Sequence, residues 1–178
     1  MRLYKKASGF KTTEIVINDM KTAYSYLIQQ KNFPTGRNSI LSVTITDTGC
    51  KHEKDLNHVI TNRLFNTIKN DYKNSREHTN YLFVIEYPEK ISQGKLLPDA
   101  CDIHTHIVLN TSLPEQAIRH YLNNAFPVKS DIKIEDITLR NDKEKYADYL
   151  VKQGMKNFFL SNDSYNYKIS VNEFTAQK

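Results

Sequence analysis

Two histidines one residue apart on an apolar run, Cys101-Asp102-Ile103-His104-Thr105-His106-Ile107-Val108-Leu109, are the side chains best placed for chemistry. A strand repeats every two residues, so His104 and His106 share one face while Ile103, Thr105, Ile107 and Leu109 share the other. Burying two imidazoles without partners costs free energy, and one metal ion would satisfy both. Glu86 is the candidate third ligand. It closes a predicted strand, Tyr81–Tyr87, on the face of Leu82 and Val84, where a bare carboxylate is costly. Its alternative reading is a strand end turned to water. Two neutral imidazoles and a carboxylate suit Mg²⁺ or Mn²⁺ beside phosphate oxygens, and the same set can hold Zn²⁺ or Fe²⁺. His52, His58, His78 and His120 are scattered and read as surface or boundary residues.

A second group lies downstream in Tyr149-Leu150-Val151-Lys152-Gln153-Gly154. At helical spacing, Ala147, Leu150, Val151, Gly154, Met155 and Phe158 form an apolar side. Lys145, Tyr146, Tyr149, Lys152, Gln153 and Lys156 form the other, a face of tyrosines flanked by lysines. An ordinary amphipathic helix would look the same. A phenol is a weak nucleophile near neutral pH, and an ammonium group three residues away lowers the cost of its phenolate and attracts phosphate. A divalent ion would stabilise the charge that builds on a phosphate under attack. Metal and tyrosine together therefore point to cutting and rejoining a nucleic-acid strand.

The elements needed to hold these groups can be read at coarse grain. Thr12–Ile17, Ile40–Thr46, Tyr81–Tyr87, the histidine run and Ile132–Leu139 read as strands. Ile40–Thr46 alternates Ile40, Ser42, Thr44 and Thr46 with Leu41, Val43 and Ile45, which gives it a hydroxyl-rich face. Helices are expected after Asn18 or Asp19, over Glu53–Lys69, from a Thr111-Ser112-Leu113-Pro114 start, and over Asp142–Phe158. Pro88–Pro98 reads as a loop. This order predicts an α+β fold, an antiparallel sheet with helices packed on it, as one domain over 1–178 with a core at about 12–158 and an irregular tail at 159–178.

Composition limits the classes. The 178 residues suffice for one sizeable core, and a net charge of +5 is compatible with a phosphate-bearing partner. Two cysteines make no disulfide framework, so an intracellular setting is the default. The basic start, Met1 to Lys6, lacks the apolar stretch of a secretory signal, and no segment is apolar enough to span a membrane. No GxxxxGK[ST] phosphate loop occurs.

The order and spacing of these motifs resemble the HUH endonuclease superfamily, and within it the rolling-circle replication initiators with a single catalytic tyrosine. His104-Thr105-His106 matches the metal motif, Tyr149 to Lys152 the YxxK nucleophile motif, and Ile40–Asp47 the first, structural motif. The residue between the histidines is usually hydrophobic in that family and is Thr105 here. The resemblance implies a five-stranded antiparallel sheet with the histidines on its central strand, Mg²⁺ or Mn²⁺, and single-stranded DNA such as a replication-origin hairpin as substrate. It implies attack by Tyr149 to leave a 5′-phosphotyrosine and a free 3′-hydroxyl, a separate helicase and a host polymerase. Tyr146, Lys145 and Lys156 would contact DNA. Tyr149-xxx-Gln153 also fits the single-strand transposases, in which Gln153 would replace Glu86 as third ligand, and a mobilisation relaxase stays open as well. From other classes, a nucleic-acid-binding module without cleavage and a metal oxygenase stay open too.

Overall fold

The histidine run forms the middle strand of the main sheet. In the computed structural model, residues 4–5, 15–17, 20–29, 38–74, 79–86, 90–92, 95–97, 103–142, 145–152, 158–160 and 167–171 are described. In chain order they form β1 (Tyr4–Lys5), β2 (Ile15–Ile17), α1 (Met20–Gln29) and β3 (Ser39–Thr46). One continuous helix follows, made of α2 (Glu53–His58), a π-helical stretch (Val59–Phe65) and α3 (Asn66–Tyr72). Next come β4 (Thr79–Glu86), β5 (Lys90–Ser92), β6 (Lys95–Leu97), β7 (His104–Thr111) and α4 (Glu115–Ala125). The chain continues with β8 (Asp131–Asp136), α5 (Tyr146–Lys152), β9 (Phe158–Leu160) and β10 (Tyr167–Val171).

The fold is α+β, as the sequence predicts. Four strands of six to eight residues, β8, β3, β7 and β4, lie side by side, and three-residue β9 adds to the outer edge of β4. Every pairing in this sheet is antiparallel. Small accessory pairings join β1 and β2 to β10, and β5 to β6.

The two faces of the sheet carry separate cores. Leu41, Val43, Ile45, Phe83, Ile85, Ile107 and Leu109 pack against Leu56, Ile60, Leu64 and Ile68 of the long helix and Ile118 and Leu122 of α4. On the opposite face Ile40, Leu82, Val84 and Val108 pack against Ala23, Tyr24 and Leu27 of α1 and Ala147 and Leu150 of α5. Burying one leucine such as Leu150 contributes ~1.5–3 kcal/mol, and that burial fixes which side of α5 meets the sheet. Lys21 of α1 also pairs with Asp148 of α5 across the surface. The loop after β3 holds the start of β7 from both sides. Thr48 Oγ1 donates to the Ile103 carbonyl at 2.6 Å, and the Ile103 amide donates to the Cys50 carbonyl at 3.3 Å. Two residues of this tight loop are left-handed, Asp47 at φ +51° and Gly49 at φ +76°.

Several boundaries differ from expectation. The strand predicted over Ile132–Leu139 ends at Asp136, because Asp136 Oδ1 accepts from both the amide (2.9 Å) and the hydroxyl (2.5 Å) of Thr138 and turns the chain. Pro88–Pro98 is not simply a loop; Lys90–Ser92 and Lys95–Leu97 pair across Gln93-Gly94. The Thr111-Ser112-Leu113-Pro114 start, which offers a hydroxyl as cap, is capped by Pro114 instead, and Thr111 Oγ1 accepts from the Leu113 amide at 3.0 Å. The helix predicted over Asp142–Phe158 is shorter, and Phe158 starts β9 instead. The Phe158–Leu160 backbone finds partners on Leu82–Val84. The tail predicted to be irregular supplies β9 and β10. The helix expected after Asn18 or Asp19 is α1, and those two candidate caps lie outside the described residues. Among the described residues no helix is long and apolar enough to cross a membrane.

Candidate metal centre and facing tyrosine

Strand register alone brings Glu86 to the histidines. In the antiparallel β4–β7 pair, Glu86 lies directly opposite His104 and Val84 opposite His106. Directly opposed side chains share a face with Cβ atoms about 5 Å apart. Glu86 Oε2 is 2.7 Å from His104 Nε2 and 3.0 Å from His106 Nε2, so both imidazoles converge on one carboxylate oxygen. The ligand-type atoms of the three residues lie within 4.8 Å of one another. His106 is 4% exposed, while the His104 and Glu86 side chains keep 18% and 12%, which leaves the group reachable from one side.

Behind His106, Thr44 of β3 sits in direct register, with its Oγ1 3.1 Å from His106 Nδ1. With no metal, each Nε2–H can donate to Glu86, and the Thr44 hydroxyl donates to Nδ1. With a metal on Nε2 the ring proton must sit on Nδ1, and the same hydroxyl then accepts it. Thr44 therefore serves either tautomer. Burial is the main influence on His106 and lowers its pKa below the ordinary value, against an opposing pull from Glu86. A neutral imidazole is the form that binds metal. Two imidazole nitrogens, one carboxylate oxygen and an open side make a donor set that fits a divalent ion, and the group could hold one.

Thr105 is fully buried on the opposite face, where its hydroxyl donates to the Val84 carbonyl at 2.7 Å. That bond explains how a threonine stands between the two histidines without a buried, unsatisfied polar group.

Tyr149 lies against His106. Its ring meets that of His106 edge-on, with centroids 5.6 Å apart at 89°, and the residue is 44% exposed. The sequence places the two 43 positions apart; the packing of Ala147 and Leu150 onto the sheet brings them together.

No family model matches the sequence, and no curated protein matches it significantly. Among solved structures, the chain is similar to the hypothetical protein ORF119 from Sulfolobus islandicus rod-shaped virus 1, at 18% identity and a TM-score of 0.40, over 78% of this chain and 93% of that one.

The remaining predicted site residues divide. Lys145 is exposed just before α5. Tyr146, placed by helical spacing on the outer face with Tyr149, is instead half-buried and packs beside the α1–α5 core. Its hydroxyl accepts from Ser42 Oγ at 2.5 Å, and its ring lies 5.6 Å from that of Tyr149. Burial, the largest influence, raises the Tyr146 phenol above its ordinary pKa, so it is held as a neutral support. The backbone of Lys152 ends α5, and nothing further of that residue is described; Gln153 and Lys156 lie outside the described residues. Sequence reasoning did not assign Ser42 and Thr44 to the site. Their signal was the hydroxyl face of β3, which gained a meaning only once β3 was set beside β7.

Proposed function

We propose that this protein is a divalent-metal-dependent nickase and strand transferase for single-stranded DNA, of the HUH type, that initiates rolling-circle replication of a plasmid or phage. The observation that carries the reading is the edge-on approach of Tyr149 to His106, one member of a group of two imidazoles and a carboxylate. An exposed phenol beside three metal-type ligands suits phosphoryl transfer, and a metal oxygenase would leave it without a role. The five-stranded order around a central histidine strand also supports an HUH-type palm.

Glu86, His104 and His106 would hold the ion, Mg²⁺ or Mn²⁺. Once bound, it would polarise the scissile phosphate and offset the negative charge of the transition state. Tyr149 Oη forms a bond to phosphorus as the bond from phosphorus to the 3′-oxygen breaks. The phenol loses its proton and the departing 3′-oxygen gains one, so no proton is consumed overall. One phosphoester replaces another, and a 3′-hydroxyl attacking the phosphotyrosine reverses the step and joins strands. Lys152 is assigned to ease phenolate formation, and Lys145 and Lys156 to attract the DNA backbone. The direct approach of both histidines to Glu86 favours it over Gln153 as third ligand. Unwinding would fall to a separate helicase and synthesis to the host polymerase.

The test is a covalent adduct. Labelled single-stranded oligonucleotides tiled across the DNA element that encodes the protein are incubated with it and Mn²⁺, then run on a denaturing gel. A labelled band at the protein's mass is expected, dependent on Mn²⁺ and lost in Tyr149→Phe. An adduct that persists in Tyr149→Phe moves the nucleophile elsewhere. Oligonucleotide binding with no adduct for any sequence would make the protein a binding module.

A further inference from the structure

The turn between β8 and α5 is built more firmly than its position between two elements requires. The Ile137 amide donates to the Ile40 carbonyl at 2.8 Å, and the Ile40 amide donates to Thr138 Oγ1 at 2.8 Å, which rivets the turn to β3. Ile137 is buried in the α1–α5 core. Arg140 is held by three of its nitrogens. Nε and Nη2 donate to the two oxygens of Asp142 at 2.8 and 2.9 Å, and Nη1 donates to Glu135 at 2.6 Å. Together with Lys145, Tyr146 and Tyr149, Ile137, Arg140 and Asp142 line a cleft of about 230 Å³.

Size and chemistry limit what this cleft takes. It is smaller than the ~300–1,000 Å³ of clefts that enclose a drug-sized ligand, so it suits a single ring system. Arg140 is a poor phosphate anchor, because two carboxylates already answer its charge and take three of its five N–H donors, Nε among them. In-plane hydrogen bonds leave the flat faces of a guanidinium for a ligand, and those faces stack on nucleobases. Tyrosine rings do the same for single-stranded nucleic acid. Ile137 supplies an apolar floor, and Lys145 adds a cation for the phosphate that accompanies a base.

We propose that this cleft is a nucleobase slot that receives the base next to the phosphate at Tyr149 and so sets which nucleotide is accepted there. The proposal rests on Tyr149 as the residue that meets the scissile phosphate. The slot itself is tested without nicking, so the two readings fail separately.

The full chain, labelled at isoleucine methyl groups, is titrated with each of the four deoxynucleoside monophosphates, and with deoxyribose 5-phosphate as the baseless control. The titrations run to about 10 mM, where a ~1 mM ligand is nine-tenths bound. The Ile137 methyl resonance is expected to move saturably with at least one nucleotide and to stay still with the control. Arg140→Lys keeps the charge and loses the plane, and should weaken binding about fivefold or more. A single-stranded 12-mer of the same base should move the same resonance. Stillness with all four nucleotides, or an equal shift with the control, overturns the slot. Undiminished binding in Arg140→Lys overturns stacking as its basis. A nucleotide that binds while the 12-mer leaves Ile137 unmoved would make this a mononucleotide site off the path of the strand, which also overturns the proposal.

Discussion

Glu86 is the residue on which the metal reading turns, because both histidines address one of its oxygens. Glu86→Gln keeps the shape and an acceptor oxygen and removes the charge. Calorimetric titration with Mn²⁺ should show at least tenfold weaker binding in Glu86→Gln and almost none lost in Gln153→Ala. The reverse order would transfer the third ligand to Gln153. Thr44 makes a second prediction at this scale. Outer-shell partners of metal-bound histidines are typically worth 10–100-fold in affinity or activity, so Thr44→Val should weaken Mn²⁺ binding by about that factor and Thr44→Ser should restore it. Equal affinities for Val and Ser would reduce Thr44 to packing. The histidine pair was legible because a strand's period of two is a local property, written in the adjacent residues Ile103 to Leu109. Glu86 was legible as a costly carboxylate at the end of an apolar face. Thr44 was not, since its partner lies 62 positions away and only the register of β3 on β7 joins them.

At the scale of elements, the alignment of α5 decides whether Tyr149 faces the metal group. Its contacts include the burial of Ala147 and Leu150, the Ser42 to Tyr146 hydrogen bond and the surface pair of Lys21 with Asp148. Ser42→Ala removes the bond without touching a proposed ligand or the nucleophile. A net cost of ~1 kcal/mol in chemical denaturation is expected, with a several-fold slower adduct rate and unchanged Mn²⁺ affinity. An unchanged adduct rate would leave the alignment to the apolar contacts and the Lys21–Asp148 pair. This element was only half legible. The helical period from Ala147 to Leu150 correctly identified the packed side, but carrying the same period through Gly154 to Phe158 hid a strand. It also put Tyr146 on the wet face, because spacing along one helix says nothing about how close the sheet comes to its flank. The chance to pair with the open edge of β4 is a property of the tertiary structure, and it outweighed the local pattern.

At the scale of the whole molecule, the metal group spans β4 and β7, with neighbours on β3 and α5, so an ion held there would join β4 to β7 at the centre of the sheet. The α+β class was legible from the alternation of strand and helix signals. The order that puts β7 between β3 and β4 is not written in any local pattern, and it is what gives the site its partners on both sides. Binding to the native state alone stabilises it by ~2.7 kcal/mol at a free concentration 100 times Kd. For a chain of this size each kcal/mol shifts the melting temperature by ~2–4 °C, so saturating Mn²⁺ should raise Tm by about 5–11 °C. A net charge of +5 disfavours nonspecific accumulation of cations, which makes the shift a clean report on a built site. Tyr149→Phe should keep the whole shift, because the phenol is not a ligand in this reading. The double variant His104→Ala, His106→Ala should lose it. If the double variant melts with the same Mn²⁺-dependent rise, the ion that stabilises the protein binds elsewhere, and the convergence of His104, His106 and Glu86 is a hydrogen-bonded cluster and not a metal centre.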